Sequence, residues 1–155
     1  MAFLEAADIV DLAMQLEKNG EAFYRAAAKK AASSEIQSLF EDLADQEVKH
    51  YAVFSKLRED TRHRVLMSNE EWDWYVGYLN ATVDSALFKG PDKALAAAEQ
   101  VADEKEAVRM AIGFEKETLL FFYDMRDMVP APDRSFVDKV VAEEKSHIRR
   151  LAGFL

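Results

Sequence analysis

The sequence predicts an all-α fold: a bundle of four long helices in two antiparallel hairpins, with a long helical crossover between the second helix and the third. Three observations predict it. Chain breakers are scarce, with five Gly and three Pro in 155 residues, and Ala, Leu, Glu and Lys dominate, which favours helix over strand. Apolar residues recur at helical spacing in four long segments, at about 4–31, 34–60, 93–128 and 133–152. The breaks within each pair are short, whereas a segment at about 61–92 parts the second helix from the third.

Each element has a local reason. The first helix carries its apolar stripe from the N-terminus to the Ala-rich "RAAAKKAA". "SSE", Ser33 to Glu35, supplies an N-cap for the second helix, and "PAPD", Pro130 to Asp133, breaks the third from the fourth. Short connections make each pair an antiparallel hairpin. The crossover opens on a Ser68 cap, reads as helix through "NEEWDWYVGYLNATVDSALF", and closes at "KGPD". No segment reads as a β-strand. Residues 1–155 are expected to form one domain.

Composition excludes several classes of function. With no cysteine, the chain has no disulfide, no thiolate metal site and no built-in rubredoxin or iron–sulfur module. A cytoplasmic location fits that usage. The opening "MAFLEAADIVDLAMQ" carries acids and no basic leader, so no signal peptide is expected. No apolar run approaches the roughly 20 residues of a membrane span. The formal net charge is −9 and no basic cluster could neutralise a row of phosphates, so neither membrane nor nucleic acid is an expected partner.

The chemistry resides in residues that break the apolar faces. On a wheel of about 100° per residue, Glu17 lies within about 60° of Val10, Ala13, Met14, Tyr24 and Ala28. Glu115 shares its face with Val108, Ala111, Ile112, Leu119 and Phe122. Glu47 and His50 lie with Phe40, Leu43 and Phe54. Glu144 and His147 lie with Val137, Val140, Val141 and Leu151. Asp45 and Lys49 turn to solvent by the same wheel. A carboxylate on a core face is costly unless paired or metal-bound. Two divalent cations would balance four carboxylates. One Glu from each of two helices, with Glu-x-x-His from each of the other two, is the inward-facing ligand set of di-iron and di-manganese bundles. Oxygen and imidazole donors suit iron or manganese, and zinc is a further possibility. The halves also repeat: Glu47 follows Glu17 by 30 residues, and Glu144 follows Glu115 by 29. A single Glu-x-x-His is as well explained by surface charge, but six such residues on core faces at duplicated spacing are not.

Other residues keep two readings. Tyr24, two turns from Glu17, could bond a metal-bound carboxylate as a neighbour with a catalytic role, or be a core aromatic with a satisfied hydroxyl. The matching position in the other half is Phe122. Glu21 faces inward as a possible accessory ligand, or reaches the rim and pairs with a basic side chain. Glu104 lies about 16 Å along the helix from Glu115, too far to join it. His63 is assigned to the surface. Trp72, Trp74, Tyr75 and Tyr78 either form a dimer interface or pack the crossover on the bundle.

"EKNGEAFY", "DQEVKH", "FEKETLLFF" and "EEKSH", in this order, resemble the rubrerythrin branch of the ferritin-like superfamily over nearly the whole chain. The resemblance implies a ferritin-like four-helix bundle. It implies a centre of two iron ions held by Glu17, Glu47, His50, Glu115, Glu144 and His147, with the four glutamates taking part in the chemistry. It further implies reduction of hydrogen peroxide or dioxygen and assembly as a homodimer, in some members with exchanged helices. Thr118 stands where rubrerythrins proper carry an additional glutamate, so the redox-linked iron movement associated with that carboxylate is not expected. The remaining set resembles a bacterioferritin centre. With no cysteine, electrons are expected from a separate donor such as a rubredoxin. Two other classes remain: a ferroxidase or iron-sequestration protein, and a metal-stabilised helical interaction module without catalysis.

Overall fold

The computed structural model describes residues 3–61, 65–82 and 89–155. The helices are α1 (Ala6–Lys30), α2 (Ser34–Thr61), α3 (Asn69–Thr82), α4 (Pro91–Gln100), α5 (Glu104–Met128) and α6 (Arg134–Ala152). α1 pairs with α2 and α5 with α6, and the two hairpins meet through α1 against α5 and α2 against α6. This is the expected bundle. Surface ion pairs bridge the helices: Arg25 to Asp45 at 2.8 Å and Arg58 to Asp11 across α1–α2, Arg150 to Asp42 at 2.7 Å across α2–α6, and Arg126 to Asp138 across α5–α6. Such exposed pairs are worth at most about 1 kcal/mol each. The core does more, because Phe23, Phe40, Phe54, Phe121 and Phe122 are fully buried, at roughly 1.5–3 kcal/mol apiece.

The local signals act largely as expected. The Ser33 hydroxyl accepts from the Ile36 N–H at 3.4 Å and starts α2. A 3₁₀ turn at Ala131–Asp133 separates α5 from α6. Ser68 and Glu71 cap α3 reciprocally, the Ser68 N–H donating to the Glu71 carboxylate at 2.8 Å. Gly90 takes φ 109°, a conformation that favours glycine, and Pro91 opens α4.

Two expectations are corrected. The third long helix, anticipated as one element over about 93–128, is two. The chain leaves the helix at Val101 and re-enters at Glu104. Asp103 caps α5 by accepting from the Glu106 N–H at 2.8 Å, while the Glu106 carboxylate accepts from the Ala102 N–H at 2.6 Å. Lys30 closes the C-terminus of α4 by donating to the carbonyls of Glu99 and Val101. The break lets α4 turn its buried Ala94 and Ala98 against α1. Glu104 then reaches the α1–α2 turn, accepting from the N–H groups of Ala32 and Ser33 at 3.0 and 2.9 Å. The second correction is a short antiparallel ribbon, β1 (Phe3–Glu5) with β2 (Val65–Ser68), where no strand was expected. It pairs Phe3 with Ser68 and so ties the N-terminus to the start of α3.

The crossover packs on the bundle through part of its aromatic set. Tyr75 and Leu79 are buried, and the Tyr75 hydroxyl donates to Asp124 of α5 at 3.3 Å. Trp74 is 75% exposed and stacks on Tyr78. His63 lies outside the described residues. Among the described residues, no helix is long and apolar enough to cross a membrane.

Candidate metal centre

Glu17 and Glu115 come from α1 and α5, and the Glu47–His50 and Glu144–His147 pairs from α2 and α6; all six side chains are buried. Their heptad neighbours bracket the acidic layer. Tyr24 packs on Phe40 at one end, with ring centroids 5.9 Å apart, and Phe54 on Phe122 at the other, 5.1 Å apart. The antiparallel hairpins therefore bring all six groups to one level.

They form two overlapping donor sets. Glu17, Glu47, His50 and Glu144 each offer an atom within 4.8 Å of the others, and so do Glu47, Glu115, Glu144 and His147. Glu47 and Glu144 belong to both. The two imidazoles lie side by side, 5.5 Å between centroids. His50 Nδ1 is 2.9 Å from Glu144 Oε1, and His147 Nδ1 is 2.7 Å from Glu144 Oε2. Neither contact has the angles of a hydrogen bond. Both oxygens of Glu17 and of Glu144, Glu47 Oε1 and both Nδ1 atoms are buried without a hydrogen-bond partner. Buried polar atoms are seldom left so. Donor atoms that converge on common points rather than on each other fit cations at those points. Four carboxylates and two neutral imidazoles suit two divalent ions by charge and by donor type.

Without cations, the cluster balances itself with protons. Burial pushes Glu17 well above the ordinary carboxylate range, and the charges of Glu144 and Glu115 add to the rise, against a smaller opposing effect of the neighbouring Glu47 carboxyl. Burial and the charges of Glu17 and Glu144 push Glu47 up likewise. Glu115 is raised to about 8, by burial first and then by Glu144. Burial opposes charge on both histidines, yet the surrounding carboxylates outweigh it, lifting His50 to about 9 and His147 to about 10. Glu144 goes the other way: burial disfavours its charge, but the two imidazoliums hold it well below the usual range.

The sign of the pH dependence follows. Glu115 and both histidines bind protons more tightly folded than unfolded, so protons favour the folded, metal-free state. The histidine contribution is complete below about 6.5 and is lost as pH climbs through about 9 and 10; that of Glu115 fades between 4.5 and about 8. Metal-free protein should melt at least about 5 °C lower at pH 9 than at pH 6. Metal ions compete for the same atoms, so loading should release protons and tighten as pH rises. Scanning calorimetry with and without metal, and proton release on loading, check both.

The remaining sequence candidates resolve geometrically. The Tyr24 hydroxyl donates a hydrogen bond to Glu115 Oε1 across the bundle. Glu21 belongs to neither donor set and lies 3.5 Å from Arg25, at the rim. A cavity of about 10 Å³, room for roughly one water, is lined by Gly20, Phe23, Tyr24, Glu47, Phe114, Glu115 and Thr118. It lies on the α1–α5 side, and neither histidine lines it.

A family model described as Rubrerythrin matches residues 8–155. The chain belongs to the rubrerythrin family. Among solved structures, it is similar to a Thermotoga maritima protein described as a ferritin-like diiron-carboxylate protein, with a TM-score of 0.67 and 23% identity, covering 99% of this chain and 95% of that one. At that identity the likeness is one of fold. A search of curated proteins returned no significant match. In this rubrerythrin-family chain, the buried carboxylate–histidine cluster suits a di-iron site.

Two residues at the cluster escaped the sequence reading. A Cβ on Gly20 would stand 2.9 Å from Glu47 Oε2 and 3.2 Å from its carboxyl carbon. The glycine leaves the space that Glu47 occupies. A glycine inside a helix, at a cost of about 1 kcal/mol, was the available signal. The other is Glu143, whose Oε2 accepts from His50 Nε2 at 2.7 Å. Its only signal was its place beside Glu144.

Proposed function

We propose that this protein is a di-iron oxidoreductase that reduces hydrogen peroxide with electrons from a separate donor. The observation that carries the reading is the pair of donor sets sharing Glu47 and Glu144, since shared carboxylates suit two ions a few ångströms apart. Glu17 and His50 would hold one ion, Glu115 and His147 the other, with Glu47 and Glu144 between them. Reduction of peroxide to two waters takes up two electrons and two protons, and two ferrous ions supply the electrons when bound. Membership of the rubrerythrin family supports this redox class.

The chain's own groups serve that chemistry. Burial of the six donors keeps bulk water from them. The small cavity beside Glu47, Glu115 and Thr118, about the size of one water, is where a small oxidant would approach the donors. The Tyr24 phenol is held on Glu115 in its wall; burial first, then the Glu115 charge, raise its pKa well above the ordinary value. It therefore keeps its proton as a donor at the cavity edge. A reducing cytoplasm and a homodimeric assembly complete the reading.

Anaerobic loading with ferrous iron tests it. Two ions per chain, oxidised within one turnover by stoichiometric peroxide and much more slowly by dioxygen, are expected. Fewer than two ions, or no oxidation by peroxide, would sink the reading. Continued oxidation of ferrous iron far beyond two ions per chain would replace it with iron storage.

A further inference from the structure

The two halves of the cluster repeat in sequence, so their cation positions would be equivalent if their neighbours matched. They do not match at two places. Glu143, the residue before Glu144, accepts from His50 Nε2 at 2.7 Å. A carboxylate only accepts, so Nε2 carries a proton, and a cation that displaces the second proton would meet the Nδ1 lone pair on the cluster side. The repeat places neutral Gln46 before Glu47, in the position matching Glu143. Among the described residues, every carboxylate near His147 approaches its Nδ1. The second mismatch is Tyr24, seven residues after Glu17, whose counterpart seven residues after Glu115 is Phe122. Tyr24 donates to Glu115, whereas both oxygens of Glu17 have no hydrogen-bond partner.

Both differences act in the same direction. An anionic partner on the far nitrogen makes His50 the more basic donor. A phenol hydrogen bond draws charge out of the Glu115 carboxylate, while no such donor competes with a cation for the oxygens of Glu17. We propose that the two cation positions are unequal, the one bounded by Glu17 and His50 binding a divalent ion first and more tightly than the one bounded by Glu115 and His147, with Glu143 and Tyr24 as the positioning residues that set the difference. The inference rests on the two-cation reading above. The looser position is also the one beside the small cavity, whose wall includes Glu115 but neither Glu17 nor a histidine. The ion with the weaker donors thus faces the space an incoming small molecule would enter.

Zn(II), which stays divalent, is the probe. The metal-free full-length chain, labelled with ¹⁵N-histidine, is titrated while ring nitrogens are followed by NMR and affinities by calorimetry. In the wild type, His50 Nδ1 should shift with the first equivalent and His147 Nδ1 with the second, with dissociation constants at least about tenfold apart. Glu143→Gln should weaken the first step about tenfold and leave the second. Glu143 is 39% exposed, so this change should not disturb folding. Tyr24→Phe should tighten the second step and narrow the gap from the other side. Parallel shifts of both histidines in the wild type, or an order and gap unchanged in both variants, overturn the proposal alone. Uptake of fewer than two Zn(II) by the wild type overturns the two-cation reading and the proposal with it.

Discussion

Glu144→Gln should abolish two-metal loading and also destabilise the metal-free protein by about 3–5 kcal/mol, as expected when one partner of a buried ion cluster is removed. Glu47→Gln should abolish loading and leave the metal-free protein as stable as before or more so. Both residues are buried shared donors, so either change strips both cation sets of a common ligand. Their states without metal are opposite. Glu144 is the carboxylate that both imidazoliums hold ionised. Neutralising it leaves two buried positive charges without the buried counter-ion they share, which lies 2.9 Å from His50 and 2.7 Å from His147. Glu47 is pushed toward its neutral form by burial and by the neighbouring acids. An amide there replaces a carboxyl that already resists ionisation, and it relieves repulsion. Metal analysis paired with thermal melts of the metal-free variants separates the two. A fall of at least about 6 °C is expected for Glu144→Gln. Equal melting temperatures for the two variants would refute this charge assignment.

Gly20→Ala should lower metal affinity by at least about tenfold while the metal-free protein keeps or gains stability. Mid-helix alanine is worth up to about 1 kcal/mol over glycine. The new Cβ, however, would stand 2.9 Å from Glu47 Oε2 and 3.2 Å from Cδ, so the carboxylate must move. Glu47 is a donor to both sets, so one displacement disturbs both positions. Zn(II) calorimetry on the wild type and the variant, with melts of both metal-free forms, decides the matter. Unchanged affinity would mean that Glu47 finds an equally good position elsewhere, and the role given to Gly20 would be wrong.

Whatever repeats along one helix is legible in the order of the amino acids. A period of 3.6 residues decides which side chains share a face. Glu17, Glu115 and the two Glu-x-x-His pairs therefore stand out as acids and imidazoles among apolar neighbours, and all six are buried. Caps and breakers are local too, which is why Ser33 and the Pro130–Asp133 break are equally legible. The interruption at Val101–Asp103 is hidden because the apolar pattern runs on through it. The Asp103–Glu106 cap competes with continuous helix, and packing of Ala94 and Ala98 against α1 accompanies the break.

Pairings between segments far apart in the chain come from the packed bundle alone. Tyr24 bonds a carboxylate 91 residues away, and His50 meets Glu143 93 residues away. Gly20 matters only because Glu47 from another helix fills its space. Glu21, inward on a wheel, turns to Arg25 at the rim because an angle on one helix does not say how wide the core is. Periodicity belongs to a single helix and is written in its sequence. Which of two like-faced carboxylates receives a phenol, and which imidazole a carboxylate, depends on how the hairpins are set against each other, and only packing fixes that.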